Sequence, residues 1–269
     1  MPFAQINDIS MFYTDEGEGS PVLLVHGWSC DGSDWAWQTP ALKAAGYRCI
    51  VPDLRGHGRT TVTEEGYTPK NYAHDLAELL RQLGTGPVVA IGHSMGGATV
   101  VALAVEHPEC VRAVVPVDSA YGFTEEVPPA LRDIVEAFKS PAGHEAALGF
   151  ASAAFYGEAT PAHLPALHAR RIAAFNQDVM WKAMAGIVLA DDSFGAKATS
   201  EQYLPRVQAP ALAFRAGRQD PTDVAAWERA QFKHPASRAV GWEGTGHWLH
   251  QERPAEFNSI LLNWLAGLG

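Results

Sequence analysis

Apolar positions along this chain alternate between two patterns. Leu76, Leu79, Leu80 and Leu83 recur at i, i+3, i+4 and i+7, the stripe of a helix face, and Gly84 closes it. Between such stripes stand short, continuous apolar runs. Residues 88–91 and 111–117 are rich in valine and too short for helices, which predicts strands covered on both faces, as parallel sheets have. Residues 9–13, 22–25 and 48–52 predict earlier strands, the first two joined through Glu16-Gly17-Glu18-Gly19. Residues 211–216 and 239–242 predict the last two. Helices are expected over 35–45, over 98–107, and over 255–265 with Phe257, Ile260, Leu261 and Trp264 on one face. Strands alternating with helices in this way predict an α/β fold, a mainly parallel sheet with helices on both sides.

The alternation breaks over 121–205. That segment carries Ala-rich helical stretches punctuated by Pro128-Pro129, Pro141, Pro161 and Pro165, with no strand pattern. It falls between two sheet strands, where an insertion adds little loop-closure cost and can cover a site. The expectation is a helical cap over 121–205, inserted into a core formed by 1–120 and 206–269.

Composition narrows the class of partner. A chain of 269 residues, 47% hydrophobic, can bury a large single core. Its net charge of −10 is spread out, with only 19% charged residues, which argues against nucleic acid or an anionic membrane and for a small-molecule substrate. Cys30, Cys49 and Cys110 are odd in number and lack C-x-x-C spacing, so reduced thiols and a cytoplasmic setting are expected. Met1-Pro2-Phe3-Ala4-Gln5 shows no basic stretch ahead of an apolar one, so no signal peptide is expected. No apolar run reaches transmembrane length.

The candidate chemistry centres on Gly92-His93-Ser94-Met95-Gly96-Gly97, a G-x-S-x-G pattern between a strand and a helix. A turn that sharp needs glycines around it and leaves the Ser94 hydroxyl exposed at the strand end. The backbone N–H of Met95, just after the serine, is aimed where an oxyanion would form. A serine hydroxyl needs a base within hydrogen-bond reach. Among eleven histidines, most of them expected to be structural, His247 is the candidate, in a Gly-flanked loop after the last strand. The imidazole in turn needs a carboxylate to fix its tautomer. Asp220 is preferred, following the strand over 211–216 through Gly217-Arg218-Gln219, and Asp118 at the end of 111–117 is the alternative. His93 is expected to point away from Ser94. There is no H-E-x-x-H, no G-x-G-x-x-G after the first strand and no Walker lysine, so neither metal nor cofactor is expected.

Four blocks carry a resemblance: Val25-His26-Gly27-Trp28, Asp53-Leu54-Arg55-Gly56-His57-Gly58, the turn at Ser94, and Gly244-Thr245-Gly246-His247. In this order and spacing the chain resembles the α/β-hydrolase superfamily over nearly its whole length, in particular capped serine esterases, lactonases and perhydrolases. The resemblance implies the chain order Ser94, Asp220, His247 for nucleophile, acid and base, and the N–H of Trp28 as the second oxyanion donor. It implies a serine hydrolase acting through an acyl-enzyme on a small to medium, partly apolar ester or lactone. Trp28, Phe138, Phe155, Trp181 and Met184 are the candidates for lining its pocket. The same residues leave open a carbon–carbon hydrolase, a perhydrolase, an acyltransferase, a cofactor-free dioxygenase or a small-molecule receptor with a slow triad.

Overall fold

The computed structural model describes residues 2–123, 129–217 and 220–268. Its centre is an eight-stranded sheet. In chain order the strands are β1 (Phe3–Ile6), β2 (Ile9–Glu16), β3 (Ser20–Val25), β4 (Tyr47–Pro52), β5 (Val88–His93), β6 (Val111–Val117), β7 (Leu212–Gly217) and β8 (Arg238–Glu243). They lie side by side as β1-β2-β4-β3-β5-β6-β7-β8. The first two pair antiparallel, and every pairing from β4 through β8 is parallel. The valine-rich strands β5 and β6 sit in the middle, and all of β5 is buried, as a doubly covered strand requires.

Helices cover both faces. On one lie α2 (Pro69–Leu83) and α3 (Met95–Glu106), where Tyr72, Leu76, Leu79 and Leu80 pack in one core with Val100 and Val101. On the other lie α1 (Gln38–Ala44) and the closing helix at Pro254–Ala266, whose Phe257, Leu261 and Trp264 pack against Val89, Ile91 and Val115. The α2 boundaries follow from local chemistry. The Thr68 side chain caps the first turn, Pro69 occupies a position where no backbone donor is needed, and Gly84 ends the helix at φ 59°. By contrast α3 is buried from Met95 to Ala104, because it is pinned between the sheet and α2.

Among the described residues five α-helices stand in the chain between β6 and β7: α4 (Pro129–Lys139), α5 (Gly143–Ala154), α6 (His163–Ala174), α7 (Gln177–Val188) and α8 (Lys197–Tyr203). Pro128, one of the breakers noted in this segment, lies outside the described residues. After β7 come α9 (Thr222–Gln231) and, past β8, α10 (Leu249–Glu252) and α11 (Pro254–Ala266).

The pattern of apolar residues missed some elements. The helix expected over 35–45 is two pieces, a 3-10 turn at Gly32–Trp35 capped by Asp31 and then α1. The break sits where Trp35 turns inward to full burial. Strand β1 is an edge of four residues of which only Ile6 is fully buried, too little alternation to register. Among the described residues no helix is long and apolar enough to cross a membrane, and the three cysteines are free.

Candidate active site

The turn between β5 and α3 places Ser94 at φ 54° and ψ −115°, outside the regions that side chains prefer. Three glycines make that possible. A Cβ at Gly92 would run into the Gly96 carbonyl, one at Gly96 into the carbonyls of Val25 and His26, and one at Gly97 into the Ser119 hydroxyl. The serine is held by its own backbone, with its N–H on Val117 O at 2.9 Å and its carbonyl accepting from Ala120 N–H at 3.0 Å. The neighbouring strand thus fixes the Ser94 peptide.

His247 enters from the loop after β8. Its backbone N–H donates to Phe155 O at 2.7 Å. Its carbonyl accepts from His93 Nε2–H at 2.9 Å. The bond from His93 ties the turn at Ser94 to the loop of His247. The Phe155 ring stacks on the imidazole with centroids 4.6 Å apart and planes 19° apart. Loop geometry is fixed by Gly244 at φ 71° and by Gly246 N–H donating to the Glu252 carboxylate at 2.9 Å.

The carboxylate on His247 is that of Asp118. Its Oδ2 lies 2.6 Å from His247 Nδ1, while its Oδ1 accepts from Ala216 N–H at 3.1 Å. Asp118 sits just past β6 at φ 42°, with its own N–H on Phe214 O at 2.8 Å. That rare backbone conformation turns the side chain toward the histidine loop. The preference for Asp220 is corrected here. Asp220 is exposed, and its Oδ1 accepts from Thr222 N–H at 2.9 Å and from the Thr222 hydroxyl, leading the chain into α9. A carboxylate committed to a helix entry on the surface does not reach His247. Arg218 and Gln219, through which the strand was expected to deliver it, lie outside the described residues.

A cavity of about 300 Å³ is lined by Ser94, Asp118, Ser119 and His247 together. Its walls are Trp28, Phe123, Leu131, Phe150, Phe155, Met184, Ile187 and Val188, most of them from the helices between β6 and β7. Trp28 is anchored by its indole N–H on Met180 O at 2.8 Å. Among the described residues the backbone N–H groups of Trp28, which lines the cavity, and of Met95, next to Ser94, have no acceptor. The loop carrying Trp28 is braced by His26, whose Nε2 accepts from Leu54 N–H at 2.9 Å.

Among the described residues Arg215 is the cation that lines the cavity. Arg215 on β7 is already spent on a buried pair, with Nε on Glu228 Oε2 at 2.7 Å and Nη1 on Ser119 O at 2.8 Å. Tyr121 completes this network, donating to Glu228 Oε1 at 2.5 Å. Burial raises the Glu228 carboxyl above its ordinary range against the pull of Arg215. The pair therefore braces the loop after Asp118 and offers little free charge to a ligand.

This fold has known counterparts. Residues 22–260 match the alpha/beta hydrolase family. The chain belongs to that family. A non-heme chloroperoxidase, CPO-A1, of Kitasatospora aureofaciens is 31% identical over 98% of this chain and 99% of its own length. Among solved structures, a thermophilic esterase from Thermogutta terrifontis superposes with a TM-score of 0.83 at 25% identity, covering 100% of this chain and 99% of that one. Est816, described as an N-acyl homoserine lactone degrading enzyme, gives a TM-score of 0.81 at 25% identity over 97% and 98% of the two chains.

Within this hydrolase fold two expected pocket residues stand elsewhere. Phe138 is buried behind the wall, stacked on Trp28 with centroids 5.4 Å apart. Trp181 is half-buried, bonded to Asp178 at 3.3 Å and flanked by Lys139 and Lys182. Trp181 stands one turn before Met184 and two turns before Val188, which do line the cavity, so the helical period alone does not set it apart. Phe150 and Ile187, which do line the cavity, lie in runs too uniformly apolar for one face to stand out.

Proposed function

We propose that the protein is a serine hydrolase of carboxylic esters or lactones, with Ser94 as nucleophile, His247 as base and Asp118 as the carboxylate that orients it. The observation that carries the reading is the 2.6 Å bond from Asp118 to His247 Nδ1 in the cavity that Ser94 also lines. With Nδ1–H donated to Asp118, the other ring nitrogen, Nε2, is left as the acceptor a serine proton requires. Ser94 Oγ attacks the acyl carbon as His247 takes its proton. The carbonyl oxygen becomes an oxyanion, held by the N–H groups of Trp28 and Met95. His247 returns the proton to the departing alkoxide, and an acyl-enzyme remains. Water, deprotonated by the same histidine, then attacks the ester carbon and frees the acid and the serine.

The helices over 121–205 act in this reading as the cap that sets substrate choice. Their contribution to the cavity is aromatic and aliphatic, and Arg215 is neutralised by Glu228, so the preferred acyl group is uncharged and apolar. A cavity of about 300 Å³ fits a short or aromatic acyl chain better than a long one. The test is a panel of p-nitrophenyl esters and lactones of rising chain length, read with the native chain and Ser94→Ala. Hydrolysis peaking at short or aromatic acyl groups and absent in Ser94→Ala is expected. Undiminished turnover in that variant contradicts the reading.

The likeness to a chloroperoxidase over the whole chain favours one second reading. Hydrogen peroxide attacking the acyl-enzyme in place of water would release a peracid. Peracid formed from acetate and peroxide, detected by halide oxidation, separates this activity from plain hydrolysis.

A further inference from the structure

Behind the turn of Ser94 three buried side chains from distant parts of the chain converge. They are Asp34 in the 3-10 turn, His93 at the end of β5 and His250 in α10, each without exposed surface. One donor atom from each lies within 4.8 Å of the others. Their outward atoms are anchored: His93 Nε2–H donates to His247 O at 2.9 Å, and Asp34 Oδ1 is paired with Arg171. Their remaining atoms, His93 Nδ1, Asp34 Oδ2 and both ring nitrogens of His250, have no hydrogen-bond partner among the described residues. Buried polar atoms left unpaired are costly, and several facing one point need a common partner. At His93 one ring nitrogen is bonded to a backbone carbonyl and the other is bare, as in metal-bound histidines.

We propose that Asp34, His93 and His250 form a binding site for a divalent transition-metal ion of the Zn²⁺ class. The charges suit such an ion. Both imidazoles are fully buried and carry ring nitrogens without a hydrogen-bond partner among the described residues. The Asp34 carboxylate is paired through Oδ1 with the Arg171 guanidinium. Arg171, the one cation there, is shared with Asp31 at 4.0 Å, so two carboxylates face it. The buried Cys30 thiol also faces Asp34. Two imidazoles and one carboxylate beside a sulfur favour Zn²⁺ over Mg²⁺ or Ca²⁺, which take oxygen ligands. Zn–N bonds run about 2.0–2.1 Å, so the donors must draw in on the ion. His250, with neither ring nitrogen bonded, is free to do so. No sequence spacing announces such a site, because its donors come from three separated segments.

The experiment is Zn²⁺ stoichiometry on the full chain, stripped with a chelator, reloaded, desalted and read by elemental analysis. Visible absorption of the Co²⁺-loaded protein reads the donor set. The native chain and Ser94→Ala should each retain one equivalent and melt at higher temperature when loaded. Since neither readout uses a substrate, the result stands apart from the serine hydrolase reading. His250→Leu should lose the ion, as should His250→Gln if the leucine variant fails to fold. A surface pair, His74 and His107 with nitrogens 2.7 Å apart, is the rival binder, so His74→Ala should leave the stoichiometry unchanged. No retained ion, or an ion kept in His250→Gln and lost in His74→Ala, overturns the proposal. Either result would make the chamber a set of polar groups bridged by water alone.

Discussion

Phe155 covers His247 on two levels: its carbonyl receives the histidine's backbone N–H at 2.7 Å, and its ring lies on the imidazole at 4.6 Å between centroids. The base of the proposed mechanism is therefore set between a carboxylate at its Nδ1 and an aromatic plane on its face. The residue providing that plane follows α5, outside the sheet core. Aromatic pairs of this kind contribute about 0.5–1.5 kcal/mol beyond area. Phe155→Ala is expected to lower kcat about threefold to tenfold by that margin, with Phe155→Trp retaining most of it. A change confined to KM would show that the ring only contacts substrate.

The glycines of the turn at Ser94 differ from those on the surface. Gly97→Ala brings a methyl against the Ser119 hydroxyl and within 3.0 Å of Gly92 O. Overpacking of this kind costs about 1–3 kcal/mol, so a lower melting temperature and lower activity are expected together. Gly149, exposed inside α5, has nothing within 4 Å of a Cβ. Gly149→Ala should raise stability by about 0.5–1 kcal/mol through helix propensity. Thermal melts of the two variants should move in opposite directions, and a stabilised Gly97→Ala would contradict the packing described here.

Buried histidines make the fold sensitive to acid. Burial lowers His57 and His250 to about 3 and His168 to about 4, from an ordinary value of 6.5. Below that ordinary value the unfolded chain binds protons at these positions while the folded chain does not. Stability is therefore full above about pH 6.5 and falls as the pH drops toward 4, by up to about 1.4 kcal/mol per group per pH unit. Urea midpoints at pH 7, 6 and 5 should decline progressively. A flat series would mean that these rings are solvated.

Much of the fold was legible in the chain because its central strands and α2 are patterned by burial alone. Residues 111–117 were expected as a strand and are β6 end to end, since a run buried on both faces has little else to be. The site was legible only where local backbone chemistry dictates it, as with the glycines around Ser94. The choice between Asp118 and Asp220 was not local. Both follow strands that lie side by side, Val117 pairing with Phe214, so both carboxylates start near the same sheet edge. What separates them is the φ of 42° at Asp118 and the helix entry that occupies Asp220, and neither leaves a mark in composition or period. The stacking of Phe155 and the convergence of Asp34 with His250 depend on chain segments far apart, which no pattern along the chain can register.

The central claim is an activated serine oriented through Asp118, and labelling by a serine-directed fluorophosphonate tests it most directly. The native chain and Asp220→Asn should label stoichiometrically at similar rates, and Ser94→Ala not at all. Asp118→Asn should label slower by roughly 10⁴-fold, the scale for losing the carboxylate that fixes the tautomer. Labelling that persists in Ser94→Ala, or that fails in Asp220→Asn while Asp118→Asn reacts normally, would contradict the account.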